Sequence, residues 1–316
     1  MKVRFHLPGL RYNFPLNMML LSMMEQYPHF FREGLEIASF FGEFPTSRWN
    51  GGRFSNGDQC DERFVREVIK NYNAKGVPVR YTYTNPLLNE HDLEDAYCNF
   101  CMQAADNGMN EVLVVSPILE EYIRKNYPNF KINSSTCKEI KDMDALNEEL
   151  SKDYNLVVLD YNLNNQFDKL EKIEQKEKCE ILVNACCVPN CPRRGEHYRQ
   201  IANQERITLM NRNMPQDKRI PVPGWYCEYG DKNTLYSIMK YPTYVSPEAI
   251  WEKYVPMGFC NFKLEGRTAN LFSLINTYAF YLMKPEYRDE GRLMLTVNLE
   301  HSKIITVNKP RPSKWP

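Results

Sequence analysis

Residues Val79–Asn126, VRYTYTNPLLNEHDLEDAYCNFCMQAADNGMNEVLVVSPILEEYIRKN, pass twice through one succession of patterns. A β-branched and aromatic run, Val79–Thr84, leads into a helical stretch over Leu93–Asn107, and a second apolar run, Glu111–Val115, leads into another over Pro117–Lys125. Asp92 and Ser116 stand at the helix starts and Gly108 follows a helix end, where caps belong. Strand, helix and strand at this spacing make a βαβ unit, whose two strands run parallel.

The alternation continues on both sides. Further strands read at Val3–Leu7, Leu35–Phe41, Phe130–Asn133, Leu156–Asp160, Glu180–Asn184 and Phe259–Leu264, which makes eight. Helices read at Asp61–Tyr72, closed by Gly76, at Asp144–Ser151 behind Asp142, at Phe167–Lys176 and at Thr268–Met283. The fold class is α/β, and eight such units predict a (β/α)8 TIM-like barrel in preference to a doubly wound sheet with the same local pattern. The methionines Met18, Met19, Met23 and Met24 fall at helical spacing and read as core.

Between strands seven and eight a long insertion carries seven prolines from Pro189 to Pro247. An insertion there lies over the C-terminal mouth, where barrel active sites form. The expected organisation is a barrel over 1–285, including a Cys-rich insertion at 185–257, and a C-terminal extension at 286–316. Two β-like runs in that extension, Leu293–Leu299 and Lys303–Val307, predict a terminal hairpin.

Forty basic and forty acidic side chains leave no net charge, so no whole-molecule field favours DNA or an anionic membrane. The apolar stretch Leu16–Met24 is interrupted by polar residues and lacks a cleavage-site pattern, which predicts a cytoplasmic protein. Ten cysteines in a large, core-rich chain then read as reduced thiols, some free to bind metal.

Most of the chemistry is concentrated in CEILVNACCVPNCPRRGEHY, where a strand ends at Asn184 and a cysteine-rich loop follows. Cys187 and Cys191, on a turn shortened by Pro189 and Pro192, are placed to share one soft ion or cluster. Cys227 and Cys260 are the candidates for the remaining ligands, with Cys186 in reserve. Zinc is the alternative metal, with His197 nearby, but paired CxxC knuckles are absent from the loop. A Cys191–His197 pairing would instead serve a thiol nucleophile. A second constellation sits at the strand ends: Glu43 and Arg48, Tyr83 and Asn85, Ser116, Ser134 and Ser135, Asp160 and Asn162, Asn184, Lys263, Glu265 and Arg267. Ringed round a mouth, these groups suit a polar or anionic substrate, with Arg193 and Arg194 as its grip and Glu43, Arg48, His197, Lys263, Glu265 and Arg267 as the catalytic candidates.

LVNACCVPNCPRRGEHY and FKLEGR resemble signatures of the collagenase-like peptidase family U-thirty-two, and FFGEFPTSR, SPILEEYIRKN and VVLDYNLNNQFDKLEKI resemble segments of its oxygen-independent hydroxylation branch. The likeness runs over roughly residues 35 to 285. It implies a barrel-like fold, a 4Fe-4S cluster held by four cysteines, and either proteolysis or hydroxylation of a small molecule or an RNA base without oxygen. On it, Cys187 and Cys191 match the loop motif and Cys227 the later cysteine. Thr46 departs from the pattern, because the hydroxylation branch carries a cysteine after the Gly-Glu pair that is here Gly42-Glu43. The expected function is therefore an iron–sulfur enzyme of this kind; a hydrolase, or an accessory subunit paired with a protein of the same family, is the alternative.

Overall fold

The computed structural model describes residues 2–52, 60–229, 234–266 and 269–306. Strands β1 (Val3–Pro8), β2 (Leu35–Gly42), β3 (Val79–Tyr83), β4 (Glu111–Val114), β5 (Lys131–Ser134), β6 (Leu156–Val158), β7 (Cys179–Leu182) and β8 (Asn261–Lys263) pair in parallel in chain order. Arg4, Phe5 and His6 of β1 then align with Asn261, Phe262 and Lys263 of β8, which closes the ring. Closure is what separates this barrel from a doubly wound sheet, whose outer strands keep a free edge.

Helices α1 (Phe14–Gln26), α2 (Glu62–Ala74), α3 (Ala96–Ala105), α4 (Pro117–Asn126), α5 (Met143–Ser151) and α6 (Phe167–Leu170) follow the first six strands. Within the insertion lie α7 (Arg194–Arg212), α8 (Leu235–Ile238) and α9 (Pro247–Ala249), the last continuing as a π turn to Tyr254; α10 (Leu271–Leu282) and α11 (Arg288–His301) end the chain. Local chemistry accounts for α2: Asp61 caps it by accepting from the Phe64 amide at 2.7 Å, and Val65, Val68, Ile69 and Tyr72 form its buried stripe. No helix among the described residues is long and apolar enough to cross a membrane.

Three expectations change. The run Leu293–Leu299 is part of helix α11, not of a hairpin, because Gly291, Leu295 and Leu299 recur every fourth residue and bury one helical face. Residues 303–306 form no strand either, and Val307 lies outside the described residues. The helix expected over Phe167–Lys176 stops at Leu170, and the one expected from Leu93 is delayed to Ala96, since Asn89 first caps a short 3-10 turn and Asp95 then caps α3.

Outside the ring, strand residues such as Phe5, Phe40, Tyr81, Val112, Val157 and Phe262 pack against the helices in one apolar core. Full burial of each such side chain stabilises by about 1.5–3 kcal/mol. The inside is polar. Arg80 of β3 reaches Glu111 of β4, with Nε 2.6 Å from Oε2, and also donates to Glu180 of β7. Asn133 donates to the same Glu111 oxygen at 3.0 Å, His6 Nε2 lies 3.4 Å from Glu180, and Lys263 Nζ lies 3.5 Å from its other oxygen. Burial would push the Glu180 carboxyl up, but Arg80, His6 and Lys263 outweigh it and hold the group at about 2. Burial, reinforced by Arg80, lowers His6 to about 4.

Removing Arg80 would leave two carboxylates buried without their cation. Arg80→Leu is expected to cost about 3–5 kcal/mol in urea unfolding, and a loss below about 1 kcal/mol would show that the cluster contributes no more than a surface pair. A second expectation follows from His6. The unfolded chain takes up this proton near 6.5 and the folded chain only near 4, so stability is complete above 6.5 and falls as the pH drops through that window. The loss is about 3 kcal/mol, and denaturant melts across the window should show that slope removed in His6→Asn.

Candidate active site at the barrel mouth

The C-terminal strand ends deliver Glu43 after β2, Asp160 and Tyr161 after β6, the loop from Asn184 to Arg193 after β7, and Glu265 after β8. Asn184 and Glu265 lock two of these segments together. The Asn184 side chain accepts from the Glu265 amide at 2.6 Å and donates to its carbonyl at 3.1 Å, while the Glu265 carboxylate accepts from the Cys186 amide at 2.8 Å.

Arg194 opens α7 and is buried. It donates to Asp160, meets Glu139 with Nε 3.3 Å from Oε2, and lies 4.6 Å over the Tyr161 ring. Two loops thus converge on the guanidinium at the start of α7, which acts as a fixed clamp. Arg193 faces outward instead, paired with Glu196 at 3.1 Å, stacked 4.3 Å from Trp225 and donating to the Tyr226 carbonyl. His197 lies parallel to the same Trp225 ring at 5.0 Å.

From Arg194, α7 crosses the mouth. Its first turn sits on Glu139, where a Cβ on Gly195 would come within 2.5 Å of a carboxylate oxygen. Two turns later the Ile201 carbonyl sits against Gly52, where a Cβ would lie 2.8 Å away. Glu139 follows β5 and Gly52 follows β2, across the ring from it. The face that α7 buries carries Arg194, Ala202, Glu205 and Thr208, so a largely polar stripe is turned toward the polar mouth.

The cysteine loop borders a small apolar patch of Tyr161, Leu182 and Ala185, against which Cys187 packs. Burial raises the Cys187 thiol to about 11, partly offset by the Tyr161 hydroxyl, with Cys191 in hydrogen-bond contact. Cys227 follows Tyr226, whose carbonyl is held by Arg193. Cys260 is elsewhere: it precedes β8, its carbonyl accepts from the Arg4 amide, and its thiol faces the Glu177 carbonyl at the N-terminal end of the barrel. It cannot share an ion with Cys187 at the other end. Among the described residues no three His, Cys, Asp or Glu side chains are gathered as a metal site.

The remaining candidates divide. Glu43 is buried at the mouth and accepts from Thr82 at 2.9 Å. Lys263 points inside the barrel, 4.3 Å from the Phe41 ring. Arg48 is drawn away to Asp92 and Asp95, at 3.0 and 3.5 Å, and so ties down the segment before α3. Arg267 lies outside the described residues. Sequence reading passed over Glu139, Glu205 and the Arg80 cluster, although a lone charge in VRYTY, EVLV and CEIL was a visible signal for the last.

No family model matches the chain. It is 26% identical over 121 residues to an uncharacterized protease of Methanocaldococcus jannaschii, a match covering 37% of this chain and only 36% of that relative's length. Among solved structures it is similar to a U32 peptidase, at 12% identity and a TM-score of 0.48, over 84% of this chain and 93% of that one.

If Arg194 holds the cysteine loop closed, Arg194→Ala should raise the neutral-pH alkylation rate of Cys187 by about tenfold or more, read by peptide mass spectrometry. An unchanged rate would show that the loop is held by its other contacts.

Proposed function

We propose that the chain is an enzyme working at its barrel mouth, that Cys187, Cys191 and Cys227 hold an iron–sulfur cluster there, and that the reaction is an oxygen-independent hydroxylation or related modification of a small molecule or RNA base. The observation that carries this reading is the meeting of two cysteine-bearing loops beside a charged, helix-covered mouth: Cys187 touches Cys191, and Arg193 joins their loop to the segment of Cys227. The donor chemistry fits, since three thiols suit iron and sulfide. Cys186, one residue from Cys187, is the reserve for the fourth position in place of Cys260. A bound cluster would supply one-electron chemistry. The chain's own groups would do the rest: Asn184 and Glu265 position the loop backbone, Arg194 fixes the helix above it, and Glu43 offers a buried carboxylate to the substrate. Because Cys187 holds its proton in the absence of metal, iron binding should release protons.

A hydrolytic reading has support from the description of the curated relative as a protease and from the carboxyl groups of Glu43 and Glu205 in the mouth. Iron decides between the two. Protein purified without air should carry about four irons per chain and absorb broadly near ~400 nm. Cys187→Ala, Cys191→Ala and Cys227→Ala should each lose both, and Cys260→Ala should keep them. Colourless wild-type protein that takes up no iron and sulfide would overturn the iron–sulfur reading in favour of the hydrolase.

A further inference from the structure

The side of the mouth formed by the segment after β2 and the middle of α7 contains two buried acceptor atoms that meet no donor among the described residues. Glu205 is 6% exposed, lies on the inward face of the helix, and its Oε1 meets no hydrogen-bond donor among the described residues. The segment after β2 touches the helix one turn earlier, where Gly52, at φ +92°, admits the Ile201 carbonyl. On that segment Asn50 is fully buried; it gives its Nδ2 to the Gly52 carbonyl at 2.9 Å, and its Oδ1 meets no donor among the described residues. Glu43 begins the same segment, buried, and its negative charge bears on Glu205.

Buried acceptors left without donors cost about 1–3 kcal/mol each, and a site that retains two of them beside a carboxylate is arranged for something that brings N–H groups. We propose that this part of the mouth is a subsite for a primary ammonium group of the substrate, bound by Glu205, Glu43 and Asn50. An ammonium has three donors and no acceptor, which matches three acceptor groups on two elements. The assignment rests on the mouth being the substrate site, and it adds the class of substrate: one that carries a free amine.

The acid–base state suits this role. Burial raises Glu205 to about 8, with Arg212 opposing and Glu43 adding to the rise, so the carboxyl is neutral at physiological pH. Binding an ammonium would release the Glu205 proton, so that two carboxylates face two cations, the ammonium and Arg212, and the buried charges balance. A guanidinium could also donate here, but the ammonium is the compact cation.

The test uses the full-length chain with alanyl-alanine and its N-acetyl derivative as probes, followed through the carboxyl carbon signal of Glu205 in glutamate-labelled protein and assigned with Glu205→Gln. The free-amine peptide should shift that signal and the acetylated one should not. Glu205→Gln and Glu43→Gln, each checked for an unchanged melting temperature, should weaken binding of the free-amine peptide by about tenfold, the loss expected for one charged hydrogen bond. Equal responses to both peptides, or no response to either, would overturn the subsite. So would broadening of the Glu205 signal by manganese without any peptide preference, which would mark a metal site. Iron content measured on the same wild-type protein separates the two readings: peptide preference in wild-type protein that takes up no iron removes the iron–sulfur proposal alone, and iron without peptide preference removes the ammonium subsite alone.

Discussion

The Arg80–Glu180 contact passes through the centre of the barrel, and the arrangement of the mouth depends on it. β3 and β7 stand opposite one another in the closed ring, so their side chains can meet only inside. Barrels of this type are commonly filled by branched apolar side chains. Here a guanidinium, two carboxylates, an uncharged imidazole and a lysine fill the space, and Asn133 and Ser39 add hydrogen bonds to Glu111 and His6. Such a cluster gains little over a well-packed apolar core in stability, because desolvation consumes most of the attraction. What it adds is direction: each charged group has one set of partners on named strands. Lys263 carries the cluster up to the level of the mouth, one residue before the Leu264 and Glu265 segment.

Above that cluster the sequence produces an unusual helix. A helix on the outside of a barrel needs an apolar stripe, but α7 rests on charged loop ends and buries Arg194, Glu205 and Thr208 with a single alanine. Its polar groups are therefore distributed on both faces, and no apolar periodicity marks it. That is why a reading based on periodicity finds the insertion and its proximity to the mouth but not the helix in it. The opposite error occurs at the C-terminus, where β-branched and leucine residues suggest a strand while positions 291, 295 and 299 are spaced for a helix that packs on α10 and α1.

The barrel itself was legible because each strand is short, apolar and followed by a helix or a loop, so eight repeats leave few topologies. The site was legible by halves. Residues that follow a strand, such as Glu43, Asp160 and Asn184, reach the mouth as expected. Cys260 reads as a ligand because it lies on the last strand, Phe259–Leu264, but the strand begins at Asn261, and in an all-parallel ring whatever precedes a strand belongs to the other end. Strand direction, already implied by the fold, separates the two cysteines. Arg48 and Arg194 show the remaining gap: nothing in the chain order tells that one is taken by Asp92 and Asp95 and the other by Asp160 and Glu139.

The loop between Leu182 and Arg194 is fixed at its start by β7 and at its end by the clamp on Arg194. It is also held between them, with the Tyr161 hydroxyl on the Val188 carbonyl and the Asn162 side chain on the Asn190 amide at 2.7 Å. A segment tied at both ends and in the middle has surrendered most of its configurational entropy during folding. A ligand taken up by Cys187 and Cys191, as proposed, would therefore meet a preorganised pair of thiols, and its affinity would be set by chemistry at sulfur with little deduction for ordering the chain.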